Sequence, residues 1–470
     1  MKKIVILFSV WMLMLQSVTL TNAQKHSQTS IPNCYQALDD ISTSVASKSL
    51  NKVPFTQNVV LPQKYDARDE GIVTSVKYQG EFGICWAYSL VSVAETQYLK
   101  KGYATNPEDV DFNELQMAYG FYHRQNDPLN LTPNDKITSI GDGSENAYLL
   151  VGGNHMLSSY YLAQWGSLVN ESSFPNTSQF DNLPNDLASK YNYDDVSFVM
   201  KDAIYLPNDD IDAIKAAIYK YGSVGTAYFS SQEYYNPYIF HDDEGKSVNH
   251  AVTLVGWDDT ISKEAFASSN DEGRLPSRDG AWIMKNSWST YAGDEGYYYL
   301  SYDMNLDTTT AFEFEKRSAY THNYFYDGGY QIQYDNPYGL KSFPVANVFT
   351  AQQTSDNSVE VVSAVSVGIA SSQTNYSVQI YRLKDNFKSP QDGEAMLEKP
   401  VSGYVEFPGS YSVALNEEVE LNPGENFAVV VTLESERPFV YTSEDFEYAG
   451  FVGGEDHCQN KQSYVYNGYN

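Results

Sequence analysis

The stretch QGEFGICWAYSLVSVAETQYL, Gln79 to Leu99, predicts a helix that begins at a cysteine. From Cys85 onward apolar residues recur every three or four positions, which is typical of a helix with one buried face. A thiol at a helix start lies near the positive end of the helix dipole, which favours the thiolate that attacks carbonyl carbons. Gly80 and Gly83 allow the preceding loop to bend tightly. Cys85 is therefore either a small buried thiol or a nucleophile.

An amide side chain near the cysteine favours the nucleophile. Gln79 lies six residues earlier and brings a donor suited to an oxyanion beside the sulfur. The segment QGEFGICWAYS resembles the catalytic-cysteine segment of the papain-like cysteine proteases. The resemblance implies that Cys85 is the nucleophile and that Gln79 holds the oxyanion. Residues 81–84 depart from plant and animal papain relatives, which carry a cysteine just before the nucleophile.

A strand that begins with histidine supplies the predicted base. His250 opens the run HAVTLVGW, and among the seven histidines it alone heads such an apolar strand. The pattern by itself also permits a hydrogen-bonded structural histidine. The segment NHAVTLVGW is similar to the Asn/Asp-His-Ala-Val strand of the same family. The resemblance therefore implies that His250 is the base.

The string KNSW, residues 285–288, carries two further candidates. Asn286 resembles the family asparagine that holds the imidazole in its useful tautomer. Trp288 resembles the indole that shields that hydrogen bond from water. A turn asparagine and a core tryptophan are the alternative interpretation. Ser289 stands where the family usually has glycine, so the resemblance leaves the local backbone geometry open.

Paired glycines, Gly152 and Gly153, precede a helix predicted over residues 156–165. They are either a simple helix entry or, as the resemblance implies, a surface on which substrate backbone pairs with enzyme backbone. The predicted catalytic residues are Cys85, His250, Asn286 and Gln79, the predicted substrate-binding residues are Gly152, Gly153 and Trp288, and no metal ligands are predicted.

Helical patterns fill the first half of the chain and strand patterns follow. Further helices are predicted over residues 112–122 and 209–222, the second capped by Asn208, and Gly102 is the predicted end of the first helix. Alternating and apolar runs between residues 223 and 303 predict strands. This order predicts an α+β fold with a helical half, a β-barrel-like half and a cleft between them, which is also the papain architecture.

The spacing between the predicted nucleophile and base is longer than usual. His250 follows Cys85 by 165 residues, against roughly 130 to 150 in the papain type. Residues 126–146 and 258–279 read as insertions that absorb the difference. The second falls between His250 and Asn286, so we expect it to border the cleft and shape specificity.

The chain divides into four predicted regions. Residues 1–23 read as a signal peptide, with a basic start, an apolar run and a small-residue cleavage site. Residues 24–60 are polar and predict a short propeptide or N-terminal arm. Residues 61–316 form the predicted papain-like peptidase domain. Residues 317–470 form a predicted β domain, which is either truncated at its C-terminus or closed in a different way.

Short alternating runs after residue 317, divided by turns such as NPGE at 422–425, predict an antiparallel, jelly-roll-like β-sandwich. The segments HNYFYDGG and ANVFTA resemble the lectin-like domain that follows the protease in some bacterial and archaeal relatives, including surface-layer-associated cysteine proteases of clostridia. Such a domain either attaches to carbohydrate or cell wall, or packs beside the protease and limits access to the cleft. The analogy also allows a calcium ion there, without indicating its ligands.

Composition restricts the partners. The formal charge of −30 and the pI near 4.4 disfavour nucleic acid and anionic membranes. If Cys85 is a nucleophile, the three cysteines leave one disulfide, Cys34 to Cys458, which the sequence does not show to form. The sequence has no His-Glu-x-x-His or paired Cys-x-x-Cys motif for zinc. After residue 23 no apolar run is long enough to predict a membrane span in the mature protein.

Together these features predict a secreted, extracellular or surface-associated cysteine endopeptidase that acts on proteins or peptides and requires no cofactor. Two alternatives belong to other classes. One is a cell-wall or carbohydrate-binding surface protein that has kept a protease fold, and the other is a Cys-His peptidoglycan hydrolase. The presence of Gln79, Cys85, His250 and Asn286 argues against the first, and the glutamine with the Asn-Ser-Trp motif argues against the second.

Overall fold

The structure is a computed structural model. It describes residues 35–38, 59–123, 127–139, 147–166, 168–174, 198–231, 236–241, 243–269, 273–317, 320–321, 323–326, 331–336, 339–353, 358–443, 446–448, 452–455, 459 and 461–466. The predicted signal peptide, Cys34 and Cys458 lie outside the described residues, as does most of the segment 24–60.

The described residues form four α-helices, each overlapping a predicted one. They are α1 (Cys85–Lys100), α2 (Glu114–Tyr122), α3 (His155–Ala163) and α4 (Ile211–Tyr221). Gly102 follows α1 with φ +70°, a conformation that glycine adopts without steric cost. The prediction that the helix stops there is confirmed.

The prediction that Asn208 caps α4 is wrong. Asp210 is the N-cap residue, and its carboxylate accepts a hydrogen bond from the Ala213 N–H at 3.0 Å. Asn208 Oδ1 instead accepts from the Thr309 N–H at 3.1 Å. Both side chains suit an N-cap. The difference arises because Asn208 is engaged by a strand 101 residues away in the chain, which local sequence does not reveal.

The first ten strands lie mainly in the peptidase part of the chain. They are β1 (Tyr35–Leu38), β2 (Lys64–Asp66), β3 (Lys136–Ser139), β4 (Phe198–Tyr205), β5 (Val224–Tyr228), β6 (Tyr238–Ile239), β7 (His250–Asp258), β8 (Ala281–Lys285), β9 (Tyr297–Ser301) and β10 (Leu306–Lys316). Strands β4, β10, β5, β7, β8, β9 and β6 lie side by side in that order, and β2 pairs with β7. Strands β4 and β10 lie outside the predicted strand patterns.

Helix α1 packs against β7, where Ser89 Oγ donates to the Val252 carbonyl at 2.6 Å. Their contact belongs to one core that extends through the helices and the sheet, with Trp86, Trp257 and Phe312 fully buried. Apolar burial of this extent is the main stabilising term of such a domain. The predicted α+β fold with a helical part and a strand-rich part is confirmed.

Twelve described strands form the C-terminal part. They are β11 (Gln331–Asp335), β12 (Ser342–Thr350), β13 (Glu360–Ile369), β14 (Thr374–Leu383), β15 (Gly393–Ala395), β16 (Val401–Val405), β17 (Gly409–Leu421), β18 (Asn426–Glu434), β19 (Val440–Ser443), β20 (Phe446–Tyr448), β21 (Val452–Glu455) and β22 (Ser463–Tyr466). Ten of them lie in two sheets that face each other, and β20 and β21 form a third sheet with β3. One of the two facing sheets contains β22, β12, β18 and β14, and the other contains β19, β13 and β17. A separate core that includes Phe343, Ile369 and Leu433 lies between them. The predicted sandwich is confirmed.

Backbone pairings join the two parts of the chain. Strand β17 pairs with β4, so one sheet continues from the peptidase part into the sandwich. Strand β3, within the first predicted insertion, pairs with β21. Strand β1 lies parallel to β22 at the edge of the sandwich. The segment 35–38 therefore contributes a strand to the C-terminal sheet.

The second predicted insertion folds against the strand β6. Phe266 is fully buried and its ring lies 5.6 Å from that of Tyr238. Ser269 Oγ donates to the Phe240 carbonyl at 2.6 Å. These contacts place the insertion at the β6 side of the sheet. Within the described part of the chain, no helix combines the length and apolar character needed to cross a bilayer.

Candidate active site

Helix α1 and strand β7 bring the predicted nucleophile and base to adjacent positions. Cys85 is the first residue of α1 and is half-buried. Its Sγ accepts a hydrogen bond from the Ala251 N–H at 3.4 Å. Ala251 directly follows His250, the first residue of β7. Residues far apart in the chain therefore meet here because α1 packs on the start of that strand.

Asn286 fixes the orientation of the His250 ring. The two side chains are buried, and His250 Nε2 lies 2.8 Å from Asn286 Oδ1. The same oxygen accepts from the Ser287 N–H at 2.8 Å. Because this amide oxygen is an acceptor, Nε2 carries the proton and Nδ1 is left as the basic nitrogen. Strands β7 and β8 are antiparallel neighbours, which brings the start of one and the residue after the other to the same end of the sheet.

Aromatic rings cover the imidazole. The Trp288 ring is stacked on the His250 ring, with centroids 4.4 Å apart and planes 20° apart. The Tyr228 ring lies 6.0 Å from the imidazole. Ser289, directly after the tryptophan, has φ +67°. A non-glycine residue in this left-handed region costs about 1 kcal/mol, so the backbone keeps a glycine-like conformation although the residue is serine.

Three hydrogen bonds hold Gln79, two through its side-chain amide and one through its backbone. Its Nε2 donates to the Phe82 carbonyl at 2.7 Å, and its Oε1 accepts from Ser287 Oγ at 2.6 Å. The Gln79 backbone N–H donates to the Ser287 carbonyl at 2.9 Å. An amide nitrogen carries two N–H groups, so a second donor remains beyond the bond to Phe82. Sequence reasoning missed Ser287, although it lies between two residues that were singled out.

Burial disfavours charge on both members of the predicted pair. It raises the pKa of the Cys85 thiol, against the opposing effect of the hydrogen bond from Ala251. It also lowers the pKa of His250 to about 4, although the bond to Asn286 acts in the opposite direction. Each charge taken alone is therefore unfavourable in this site. A thiolate and an imidazolium would have to form together, each stabilising the other.

Gly152 and Gly153 differ in their structural surroundings. Gly152 has φ +88°, and a Cβ built there meets no atom within 4 Å. Its carbonyl accepts from the Tyr122 hydroxyl at 2.7 Å. A Cβ on Gly153 would lie 2.6 Å from the Trp86 ring, much closer than van der Waals contact. Gly153 is thus required by packing against α1, whereas the space beside the Gly152 Cα is open.

A buried cluster of charges lies behind the site and was also missed. Lys77 Nζ contacts Glu95 Oε1 at 2.9 Å and Glu114 Oε1 at 2.7 Å. Thr74 Oγ1 donates to Glu95 and accepts from Lys285 Nζ at 3.0 Å. Burial raises the pKa of Glu114 to about 7 and lowers that of Lys285 to about 8. A cavity of about 20 Å³ lies between this cluster and the residues 286–287.

All seven predicted site residues are among those that the structure describes. It brings together Cys85, His250, Asn286, Gln79 and Trp288, and it places Gly152 and Gly153 on the segment that packs against Gly83 and Trp86. Among the described residues, no group of three or more His, Cys, Asp or Glu side chains is arranged to hold a metal ion.

Two families match this chain. Residues 61–117 and 146–322 match the papain family of cysteine proteases, and residues 324–470 match the lectin-like domain. The interval between the two peptidase segments contains nearly all of the first predicted insertion.

Curated relatives are similar over about half of the chain. Cathepsin S of Mus musculus is 28% identical over 250 residues, which are 52% of this chain and 60% of that protein. A cysteine proteinase of Trypanosoma brucei brucei is 29% identical over 265 residues, 56% of this chain and 48% of that protein. The alignment thus spans less than two thirds of the length of either relative.

Similarity to solved structures extends over most of the chain, and one of these structures serves as the example. It comprises the cysteine protease and lectin-like domains of Cwp84, a surface layer associated protein of Clostridium difficile. The TM-score is 0.66 and the identity 22%, over 87% of this chain and 84% of that one. At this identity the likeness shows a shared fold.

Proposed function

Because the chain carries a papain-family cysteine protease domain followed by a lectin-like domain, we propose that it is a secreted cysteine endopeptidase that hydrolyses peptide bonds. One observation carries the proposal. The sulfur of Cys85 is hydrogen-bonded to the residue directly after His250, whose ring is held by Asn286. This arrangement supports the assignment of Cys85 as nucleophile, His250 as base and Asn286 as the group that orients the base.

The reaction begins with proton transfer from the Cys85 thiol to His250 Nδ1. The sulfur then attacks the carbonyl carbon of the scissile peptide bond, and the carbonyl oxygen becomes an oxyanion. The second N–H of Gln79 Nε2 and the backbone N–H of Cys85 stabilise this oxyanion. His250 protonates the leaving amine, which leaves an acyl group on the sulfur. Water, deprotonated by His250, releases the acid and regenerates the thiol.

The charged pair required for this reaction has several sources of support. The start of α1 places partial positive charge beside Cys85. The N–H groups of Ala251 and Trp86 favour the thiolate, and the Asn286 oxygen favours the imidazolium. Trp288 shields the bond between His250 and Asn286 from water. These contributions oppose the burial that disfavours each charge alone.

The partners and location also belong to the proposal. Proteins or peptides are the substrates, and the open space beside the Gly152 Cα is suited to the approach of an extended peptide. The match to a lectin-like domain supports a carbohydrate or other cell-surface polymer as a second partner. The alternative role, a structural partner for the protease, is supported by the pairing of β17 with β4. Secretion is supported by the composition of residues 1–23.

The test compares wild type with Cys85→Ala on unfolded casein and on purified peptidoglycan, with and without a thiol-directed epoxide. Cys34→Ala serves as the matched control, because it removes a cysteine that the mechanism does not use. We expect casein cleavage by wild type and the control, and none by Cys85→Ala or after epoxide treatment. Equal cleavage by all variants contradicts the assignment. Release of peptidoglycan fragments without casein cleavage favours the hydrolase instead.

A further inference from the structure

A cavity of about 590 Å³ lies where the peptidase part meets the sandwich. Its lining includes residues from the end of α3, from β4 and from the sandwich strands β13 and β17, and it continues between the two sheets past buried core residues such as Leu421 and Phe427. The described lining residues include neither Cys85 nor His250. Small-molecule sites typically have volumes of roughly 300–1,000 Å³. The cavity is therefore large enough for a ligand and separate from the candidate active site.

Trp165, which lines this cavity, has an unusual backbone conformation. It follows the end of α3 with φ +64°. Its N–H donates to the Leu162 carbonyl at 3.0 Å, and the next N–H, of Gly166, donates to the Tyr161 carbonyl at 3.0 Å. This pair of bonds defines the helix-ending motif whose left-handed residue is usually glycine. A bulky residue there is a true outlier, which suggests that the ring has a role beyond the fold of the helix end.

The Trp165 ring is half-buried and belongs to a small aromatic group. The Tyr320 ring, also in the cavity lining, lies 6.3 Å away with planes 40° apart. The Arg317 guanidinium carbon lies 5.0 Å from the centre of the indole. Neither aromatic residue is part of the buried cores of the two domains. The two rings thus form an aromatic wall in a cavity rather than core packing.

Polar side chains complete the same cavity. Gln164, Lys201, Glu315 and Asn323 contribute to the lining. Asn323 Nδ2 donates to the Ala163 carbonyl at 3.1 Å, which links the sandwich side to the end of α3. Amide, ammonium and carboxylate groups offer both donors and acceptors. A ligand that matches this wall has an apolar face for the aromatic rings and hydroxyl groups at its edge.

We propose that this cavity binds a neutral oligosaccharide, with a sugar ring against Trp165 and Tyr320 and its hydroxyls on the surrounding polar groups. A pyranose presents C–H groups on its face and hydroxyls around its rim, which suits aromatic rings beside polar side chains. The net charge of −30 disfavours an acidic sugar. The inference deepens the carbohydrate partner proposed above and rests on it, but it does not depend on peptidase activity.

The test uses the full chain with Cys85→Ala, so that self-cleavage cannot interfere, and isothermal titration calorimetry. The probes are chitotetraose, maltotetraose and mannotetraose, with sialyllactose as the acidic comparison. The variants are Trp165→Gly and Tyr320→Ala. Tyr291→Ala is the matched control, because that tyrosine is 91% exposed and does not line the cavity. Trp165→Gly places glycine where the backbone favours it, so we expect an unchanged or higher melting temperature.

We expect at least one neutral probe to bind, and each cavity variant to weaken it by about tenfold or more while the control binds as before. Sialyllactose should bind more weakly than the neutral probes. Equal binding by Trp165→Gly, Tyr320→Ala and the control would show that a carbohydrate partner exists but that this cavity is not its site. If no neutral probe binds at about 10 mM, both the site and the carbohydrate partner are wrong, and the peptidase proposal is unaffected.

Discussion

Ser287 Oγ donates to Gln79 Oε1 over 2.6 Å. The backbone N–H of the same serine donates to Asn286 Oδ1 at 2.8 Å, and that oxygen also holds the His250 ring. One residue therefore positions both the proposed oxyanion donor and the amide that orients the base. The catalytic side chains are coupled through it, although it contacts neither sulfur nor imidazole in the described hydrogen bonds.

Ser287→Ala should lower kcat by about tenfold with little change in KM, because a misdirected Gln79 weakens contacts made mainly in the transition state. Steady-state kinetics on a fluorogenic peptide measure this. Ser287→Thr, which retains the hydroxyl, should recover most of the loss. Ser289→Gly is the control, since it relieves a positive φ without touching Gln79. An unchanged kcat in Ser287→Ala would mean that the bond has no catalytic consequence.

Gln79→Ala removes the proposed oxyanion donor itself. We expect kcat to fall by about 10²-fold with KM nearly unchanged, which is the usual effect of deleting one such donor. The thermal melt of the variant serves as the control for folding. A rise in KM with kcat maintained would instead assign Gln79 to substrate binding.

The two glycines of the pair should respond differently to alanine. Gly153→Ala forces a methyl group toward the Trp86 ring at 2.6 Å and should destabilise the fold by about 1–3 kcal/mol. Gly152→Ala introduces a residue at φ +88° but no clash. We therefore expect it to lower the free energy of unfolding by about 1 kcal/mol.

Denaturant unfolding measures the stability of each glycine variant, and KM for an extended peptide measures binding. Gly152→Ala should raise KM although it lowers stability only slightly. The opposite order, with Gly152→Ala less stable and KM unchanged, would contradict the division of roles.

His155 should make the fold sensitive to acid. It is fully buried, its Nε2 lies 2.8 Å from Ser89 Oγ, and burial lowers its pKa to about 3. In the unfolded chain a histidine has a pKa of about 6.5. The unfolded state therefore takes up the proton first as pH falls, and stability decreases from about pH 6.5 toward pH 3. His155 should account for a loss of about 2 kcal/mol between pH 7 and pH 5.

Urea unfolding of wild type and His155→Gln at both pH values tests this sign. The glutamine keeps an N–H donor toward Ser89 but does not titrate. Between pH 7 and pH 5 we expect the free energy of unfolding of the variant to fall by about 2 kcal/mol less than that of wild type. Part of the acid sensitivity should persist, because burial also lowers the pKa of His250. Equal losses in the two proteins would show that His155 is not neutral in the fold.

Chelation should leave the initial rate of peptide cleavage unchanged within about twofold, since the proposed steps use thiolate, imidazole and amide groups alone. The measurement compares rates before and after dialysis against EDTA. A loss of activity that zinc restores would indicate a metal-dependent reaction. The calcium ion suggested for the C-terminal domain stays a prediction, and the melting temperature with and without calcium tests it separately.

Local patterns were sufficient to predict the main elements. Helical spacing after Cys85 predicted α1, and the apolar run after His250 predicted β7. The string around Asn286 and Trp288 was recognisable because it is contiguous. Such signals survive in sequence because the periodicity of a helix or strand is a local property.

Contacts between distant segments were not predictable in this way. The bond from the Thr309 N–H to Asn208, the bond from Ser287 to Gln79 and the charged cluster around Lys77 all depend on partners far away in the chain. The continuation of one sheet from β4 to β17 was missed for the same reason.

The sequence by itself determined which residues are chemically competent and which local elements carry them. Tertiary structure decided which of these side chains meet, that Gly153 is fixed by the Trp86 ring, and that Trp165 opens into a cavity between the two parts. The physical reason is that residue type and periodicity act over a few neighbouring residues. Strand register and close packing, in contrast, are set by burial across the whole molecule.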